Sequence, residues 1–196
     1  MLKRIFDIVC SFLGIILLSP LLFVLYLAVA LSSKGGGLYK QLRIGKDGKE
    51  FYLFKFRTMF LNSDSKGLLT VGGRDPRITS VGYFLRKYKM DELPQLFNVF
   101  FGDMSLVGPR PEVKKYVDLY TPHQREVLKV RPGITDYASL EYFEENDVLA
   151  AASDPEATYI NEVMPKKLQL NEKYIKEAGL ITDLKIILRT IISIVR

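Results

Sequence analysis

The sequence predicts an α+β fold that carries an N-terminal membrane segment, and three observations support this. Ile8 to Leu31 runs 24 residues without a charge. Leu38 to Met59 alternates around Asp47-Gly48, the pattern of a β-hairpin. Leu93, Leu96, Phe97 and Phe100 recur at helical spacing. With 196 residues there is room for one domain and an appendage, divided here into a membrane helix over 1–34 and a membrane-associated domain over 35–196. A formal charge of +6 selects acidic partners: nucleic acid, anionic headgroups or phosphorylated small molecules. One cysteine and one histidine exclude a disulfide framework and a zinc cluster.

The apolar run would form a helix about 36 Å long, enough to cross a hydrocarbon core of about 30 Å. Ser19-Pro20 falls near its middle, where proline removes a donor and predicts a kink. Lys3 and Arg4 precede the run, and Lys34, Lys40, Arg43 and Lys46 follow it. A basic tendency on both flanks favours one side of the membrane for both. Two topologies satisfy the hydropathy: a kinked spanning helix, and a segment that turns at Ser19-Pro20 and leaves where it entered. A cleaved signal peptide fits less well, because the run exceeds the usual length of such a core.

After the linker SSKGGG (32–37), the second hairpin strand FYLFKFRTM (51–59) places Lys55 and Arg57 on one face. Residues 61–80 read as a long loop. Basic Arg86, Lys87 and Lys89 then lead into KMDELPQLFNVF (89–100). Its two acids, Asp91 and Glu92, stand at the head of a helix, with Pro94 tolerated in the first turn. Capping is the simplest reading, since carboxylates are favoured there. Arg110, held between Pro109 and Pro111, presents a bidentate phosphate binder from a restricted backbone. Together these residues offer carboxylates for a divalent cation or for nucleophilic attack, and cations for phosphate charge.

KFRTM (55–59), DELPQLFNVFFGDMSLVGPRP (91–111) and VRPGIT (130–135), after KRIFDIVCSFLGIILLSP (3–20), resemble the bacterial sugar transferase family. More narrowly they are similar to its small monotopic phosphoglycosyl transferases. The resemblance implies transfer of a phosphosugar from a UDP-sugar to a polyprenol phosphate, undecaprenyl phosphate, with release of UMP. That is the first membrane step of a bacterial glycoconjugate such as a capsule, exopolysaccharide or O-antigen. It implies Asp91 as the nucleophile that forms a covalent phosphosugar intermediate, and Asp91 with Glu92 as the Mg²⁺ site. Lys55, Arg57, Arg86, Arg110 and Arg131 are the implied phosphate binders, with Arg110 and Arg86 foremost. The resemblance also implies a re-entrant helix broken at Ser19-Pro20, interfacial amphipathic helices, and a catalytic domain on the cytoplasmic face of the inner membrane. A homodimer stays open.

The rest of the chain is less telling. His123 reads as a surface residue. DYASLEYFEEN (136–146) departs from the Gly-Trp-Ala-Gln pattern of many relatives, which leaves the sugar undecided; Glu141, Glu144 and Glu145 fit a solvated face better than a sugar contact. Lys89-Met90 replaces a common Ser-Leu. Ile181 to Arg196 predicts an interfacial helix with Lys185, Arg189 and Arg196 on one side. A nucleic-acid module would set its aromatics beside its basic residues, and here they fall on apolar stripes. A scaffold without chemistry explains the helices but not the acidic pair. A glycosidase needs carboxylates flanking a bond, which sequence neighbours do not provide.

Overall fold

The computed structural model describes residues 2–63, 67, 69–72, 75–142 and 145–195, with the side chains of 145–147 and 195 outside that description. Helix α1 spans Leu2–Ser32 and stays helical through Ser19 and Pro20, so the predicted division into two helices is absent from its secondary structure. The reason is local. Pro20 cannot donate to the Ile16 carbonyl four residues back, and the Ser19 hydroxyl donates to that same oxygen at 2.8 Å.

Both ends of α1 rest on the rest of the chain. Near the start, Lys3 meets Asp183 at 2.5 Å, and the Asp7 carboxylate accepts from the Ser105 hydroxyl and the Leu106 amide, each at 3.1 Å. Near the end, Leu25 and Val29 pack with Phe56 and Leu85. The Arg57 guanidinium donates there to the carbonyls of Val29, Ser33, Gly35 and Gly36. The outer face is apolar and open, with Leu17 80% and Leu31 84% exposed.

Strands β1 (Leu38–Ile44) and β2 (Glu50–Phe56) pair antiparallel from Leu38 opposite Phe56 to Ile44 opposite Glu50. The hairpin is as predicted, but its connection is longer than a two-residue turn. The Gly45 amide bonds the Lys49 carbonyl, and Asp47 and Gly48 both take positive φ, 57° and 74°, the region their residue types tolerate best. An isolated bridge between Met59 and Ile78 closes the long loop. Helix α2 (Ser80–Lys87) is capped by Thr79, whose hydroxyl accepts from the Gly82 amide.

Helix α3 (Gln95–Phe101) leads to β3 (Ser105–Val107), then to α4 (Lys114–Val117) and β4 (Gly133–Thr135). Strands β3 and β4 pair in parallel, three residues each, too short to show in the hydropathy. Two motifs meet here through backbone contact: a Cβ on Gly133 would stand 2.0 Å from the Gly108 amide nitrogen. The remaining helices are α5 (Tyr137–Glu141), α6 (Glu145–Ala150), α7 (Pro155–Thr158), α8 (Met164–Glu177) and α9 (Leu180–Val195). Tyr116, Leu149, Tyr159 and Leu168 form one apolar core; Val107, Tyr174 and Ile186 anchor α8 and α9 on β3 in another. His123 is a surface residue, as expected, with its ring 79% exposed. Arg196, Glu144 and the Glu145 side chain lie outside the described residues. Glu141 is exposed.

Candidate active site

Asp91 and Glu92 do not cap α3. They occupy a separate 3₁₀ turn, Met90–Glu92, entered through Lys89 at φ 53°, and neither that turn nor α3 carries a side-chain cap bond. The left-handed Lys89 is a strained position of the kind that gathers at functional sites.

The turn is held in place by a residue the apolar stripe had hidden. The inward face of α3 is Gln95, Asn98 and Val99, all buried. The Asn98 side chain accepts from the Phe54 amide at 2.9 Å and donates to the Tyr52 carbonyl at 2.8 Å. It thereby copies a neighbouring strand along the free edge of β2 and fixes α3 beside Lys55. The predicted stripe faces the other way, towards α1, where Leu96 lies against Gly14 and the Phe100 ring stacks on Phe12 at 5.9 Å.

The two carboxylates are unlike. Arg110 grips Glu92 with both terminal nitrogens, Nη1 at 3.1 Å from Oε2 and Nη2 on Oε1. Burial would raise the Glu92 pKa, but Arg110, Lys55 and Lys89 outweigh it and hold it at about 2. Asp91 is 8% exposed and, among the described residues, carries no hydrogen bond or ion pair. Burial, then the charge of Glu92, push its pKa upward against the pull of Lys55, Arg86 and Lys89. Burial also lowers Lys55 to about 8, with Glu92 opposing and Arg110 assisting.

These groups share one cavity of about 900 Å³, within the range of small-molecule sites. Asp91, Glu92, Lys55, Arg86 and Arg110 all line it. Arg86 donates from Nη2 to the Thr70 hydroxyl at 2.9 Å, while its Nη1 is buried without a partner. A buried unmatched donor beside an open carboxylate is unfavourable until an acceptor arrives. Arg110 is aimed by its two prolines and by Asp136, whose carboxylate accepts from the Arg110 amide at 3.3 Å and also caps α5 through Ser139.

Arg57 and Arg131 are placed differently from the other three cations. Strand β2 ends at Phe56, so the alternation that paired Arg57 with Lys55 stops. The Arg57 guanidinium, although at the cavity wall, is occupied by the carbonyls at the end of α1. Arg131 is absent from the cavity wall and donates to the Gly102 carbonyl beyond α3. Sequence reading also missed Lys89 and a buried group around Glu112, which accepts from the Tyr159 hydroxyl at 2.7 Å and faces Arg43.

Among the described residues no cluster of three or more His, Cys, Asp or Glu side chains forms a metal site. The acidic pair nevertheless suits Mg²⁺, which commonly takes one or two carboxylates and completes its shell with substrate phosphates and water. The uncommitted oxygens of Asp91 are the hard donors such an ion selects.

The bacterial sugar transferase family matches residues 1–196 of this chain. A UDP-glucose:undecaprenyl-phosphate glucose-1-phosphate transferase of Klebsiella pneumoniae is 38% identical over 193 residues, covering 96% of this chain and 39% of the relative. A UDP-N-acetylgalactosamine-undecaprenyl-phosphate N-acetylgalactosaminephosphotransferase of Aeromonas hydrophila is 37% identical, covering 98% and 43%. A sugar transferase of Bacillus subtilis, EpsL, whose activity is uncharacterized, is 37% identical, covering 97% and 85%. The chain thus spans about two-fifths of the length of the first two relatives. On the match across its whole length, the chain belongs to the bacterial sugar transferase family.

Proposed function

We propose that this protein transfers a phosphosugar from a UDP-sugar to undecaprenyl phosphate and releases UMP. The observation that carries the reading is the asymmetry of the acidic pair: Glu92 is locked by Arg110, and Asp91 is buried, uncommitted and surrounded by cations in a 900 Å³ cavity. Relatives bearing the UDP-glucose and UDP-N-acetylgalactosamine names support the substrate class.

In this reading an Asp91 oxygen attacks the β-phosphorus, the bond to the UMP oxygen breaks, and UMP leaves with that electron pair. An oxygen of the lipid phosphate then attacks the same phosphorus, and the bond to Asp91 breaks to restore the carboxylate. Desolvation suits Asp91 to the first step, because a carboxylate of raised pKa is the stronger nucleophile. Lys55, Arg86 and Arg110 meet the diphosphate charge, with the unpartnered Arg86 nitrogen as a preformed donor. Mg²⁺ held by Asp91 and Glu92 would supply charge neutralisation to the diphosphate.

A helix crossing a bilayer upright would carry one end away from the domain, whereas Lys3 and Val29 of α1 both contact it. This supports a segment immersed in one leaflet that returns to its side of entry, with a bend inside a continuous helix at Ser19-Pro20. The basic flanks favour the cytoplasmic face of the inner membrane.

Asp91→Asn tests the reaction. With a UDP-sugar labelled in the sugar, the unaltered protein should form a covalent adduct and release UMP, and the variant should do neither. An adduct that persists in the variant removes Asp91 from the nucleophile role; no UMP release across a broad panel of UDP-sugars with undecaprenyl phosphate removes the reading.

A further inference from the structure

We infer that the first and last helices enclose a groove that receives the hydrocarbon chain of the acceptor lipid, an inference that rests on the proposed reaction and gives its second substrate a place. The cavity holding the carboxylates extends well beyond them. On α1 it is lined by Phe6, Cys10, Gly14 and Leu18, spaced four apart, so they form one ridge of the helix. On α9 it is lined by Ile187, Ile191 and Ile194, again one helical face. Between the two helices lie Leu106 of β3 and Ile134 of β4, which supply an apolar floor.

Three facts say what this branch holds. First, it is closed at one end and joined to the site at the other. Lys3 of α1 and Asp183 of α9 are paired at 2.5 Å, with the Tyr174 hydroxyl donating to Asp183 at 2.8 Å, and this draws the starts of the helices together. Leu18 lines the cavity together with Leu93 and Leu96, which follow the acidic pair. Second, the ridge from Phe6 to Leu18 is about 18 Å long at about 1.5 Å per residue, long enough for a stretch of extended chain and far longer than a sugar needs. Third, the walls turn apolar side chains outward too: Leu13 and Leu17 are 58% and 80% exposed, and Leu188 and Ile192 59% and 63%. Such helices suit lipid surroundings, so the groove would fill from the bilayer while its polar end receives a phosphate at Arg86, Lys55 and Arg110. A phosphate head on a long apolar tail is the ligand this shape fits. A nucleotide-sugar, polar throughout, would leave the branch unfilled.

Gly14 and Leu96 both line the cavity, and a Cβ on Gly14 would stand 3.4 Å from Leu96, so a larger side chain there takes up groove space. The single cysteine, Cys10, stands in the wall and serves as a reporter in the unaltered chain. The full-length protein in detergent micelles should be labelled at Cys10 by an apolar maleimide, and undecaprenyl phosphate should slow labelling by about tenfold or more. A UDP-sugar should leave the rate unchanged. Equal protection by phosphatidylglycerol at the same concentration, or none by undecaprenyl phosphate, overturns the assignment. Because labelling needs no turnover, protection together with an absence of UMP release would keep the groove and discard the reaction. As a second measurement, Gly14→Leu should raise the KM for undecaprenyl phosphate at least tenfold and the KM for a two-isoprene acceptor phosphate far less. Equal rises for both acceptors, in a variant that still binds UDP-sugar, count against a chain groove.

Discussion

Where α1, β3, α8 and α9 meet, Asp183 receives Lys3 and the Tyr174 hydroxyl, and the Val107 carbonyl receives the same two donors. Where β2 meets the turn before α3, the Asp91 carboxylate receives no hydrogen bond among the described residues, and Arg86 keeps a buried nitrogen unmatched. Both regions bring a buried carboxylate together with cations. One pairs its carboxylate with donors from two other helices and joins four elements; the other leaves strong groups waiting in a cavity. Desolvated polar groups destabilise a fold unless they are paired, so a cluster left open suits a substrate rather than the scaffold.

The sharpest way to break this contrast is to neutralise one acid in each cluster and read stability and turnover separately. Asp91→Asn should lower UMP release by about a thousandfold or more, because a covalent route is lost with its nucleophile. Its thermal midpoint in detergent should hold or rise, since the change removes an unpaired buried charge. A marked fall in the midpoint would make Asp91 part of the scaffold.

Asp183→Ala should do the reverse. It leaves Lys3 and the Tyr174 hydroxyl with the Val107 carbonyl alone as their shared acceptor, costing about 2 to 3 kcal/mol. That is less than for a wholly enclosed pair, because Lys3 remains 36% exposed. Turnover per folded molecule should change little at the reactive end. Denaturant unfolding checks the first figure and UMP release at saturating substrate the second; an unfolding midpoint that does not move would show that the closed network contributes nothing.

The contrast also marks how far the sequence could be read. The hairpin, the apolar helix and the proximity of Asp91, Glu92, Lys55, Arg86 and Arg110 were accessible, because alternation and motif order survive folding. The separate fates of Asp91 and Glu92 were not, since adjacent residues share every local signal and diverge through tertiary partners, Arg110 above all, eighteen residues away. Arg57 deceived for a related reason: strand alternation predicted a partner for Lys55, but the strand ended one residue early and the side chain turned to the end of α1. Asn98 was concealed within a stripe of larger apolar residues, its role depending on an edge of β2 that no periodicity reveals.

Lys55 offers the finest test, because its charge depends on the open cluster remaining open. Burial lowers its pKa to about 8, so in the free enzyme the ammonium is lost as pH rises through that value. Since kcat/KM reports groups in the free enzyme, it should fall on the alkaline side with a midpoint near pH 8. At about pH 9 the fall should be about tenfold, the protonated fraction one unit above the pKa. A bound diphosphate favours the charged form, so kcat should fall only at higher pH. Lys55→Arg keeps a cation across this range, and although its lower limit at neutral pH should drop a fewfold from altered reach, its alkaline limb should disappear. A limb that persists unchanged in Lys55→Arg would assign the titration to another group, with Lys89, also lowered by burial and facing Glu92, the next to replace.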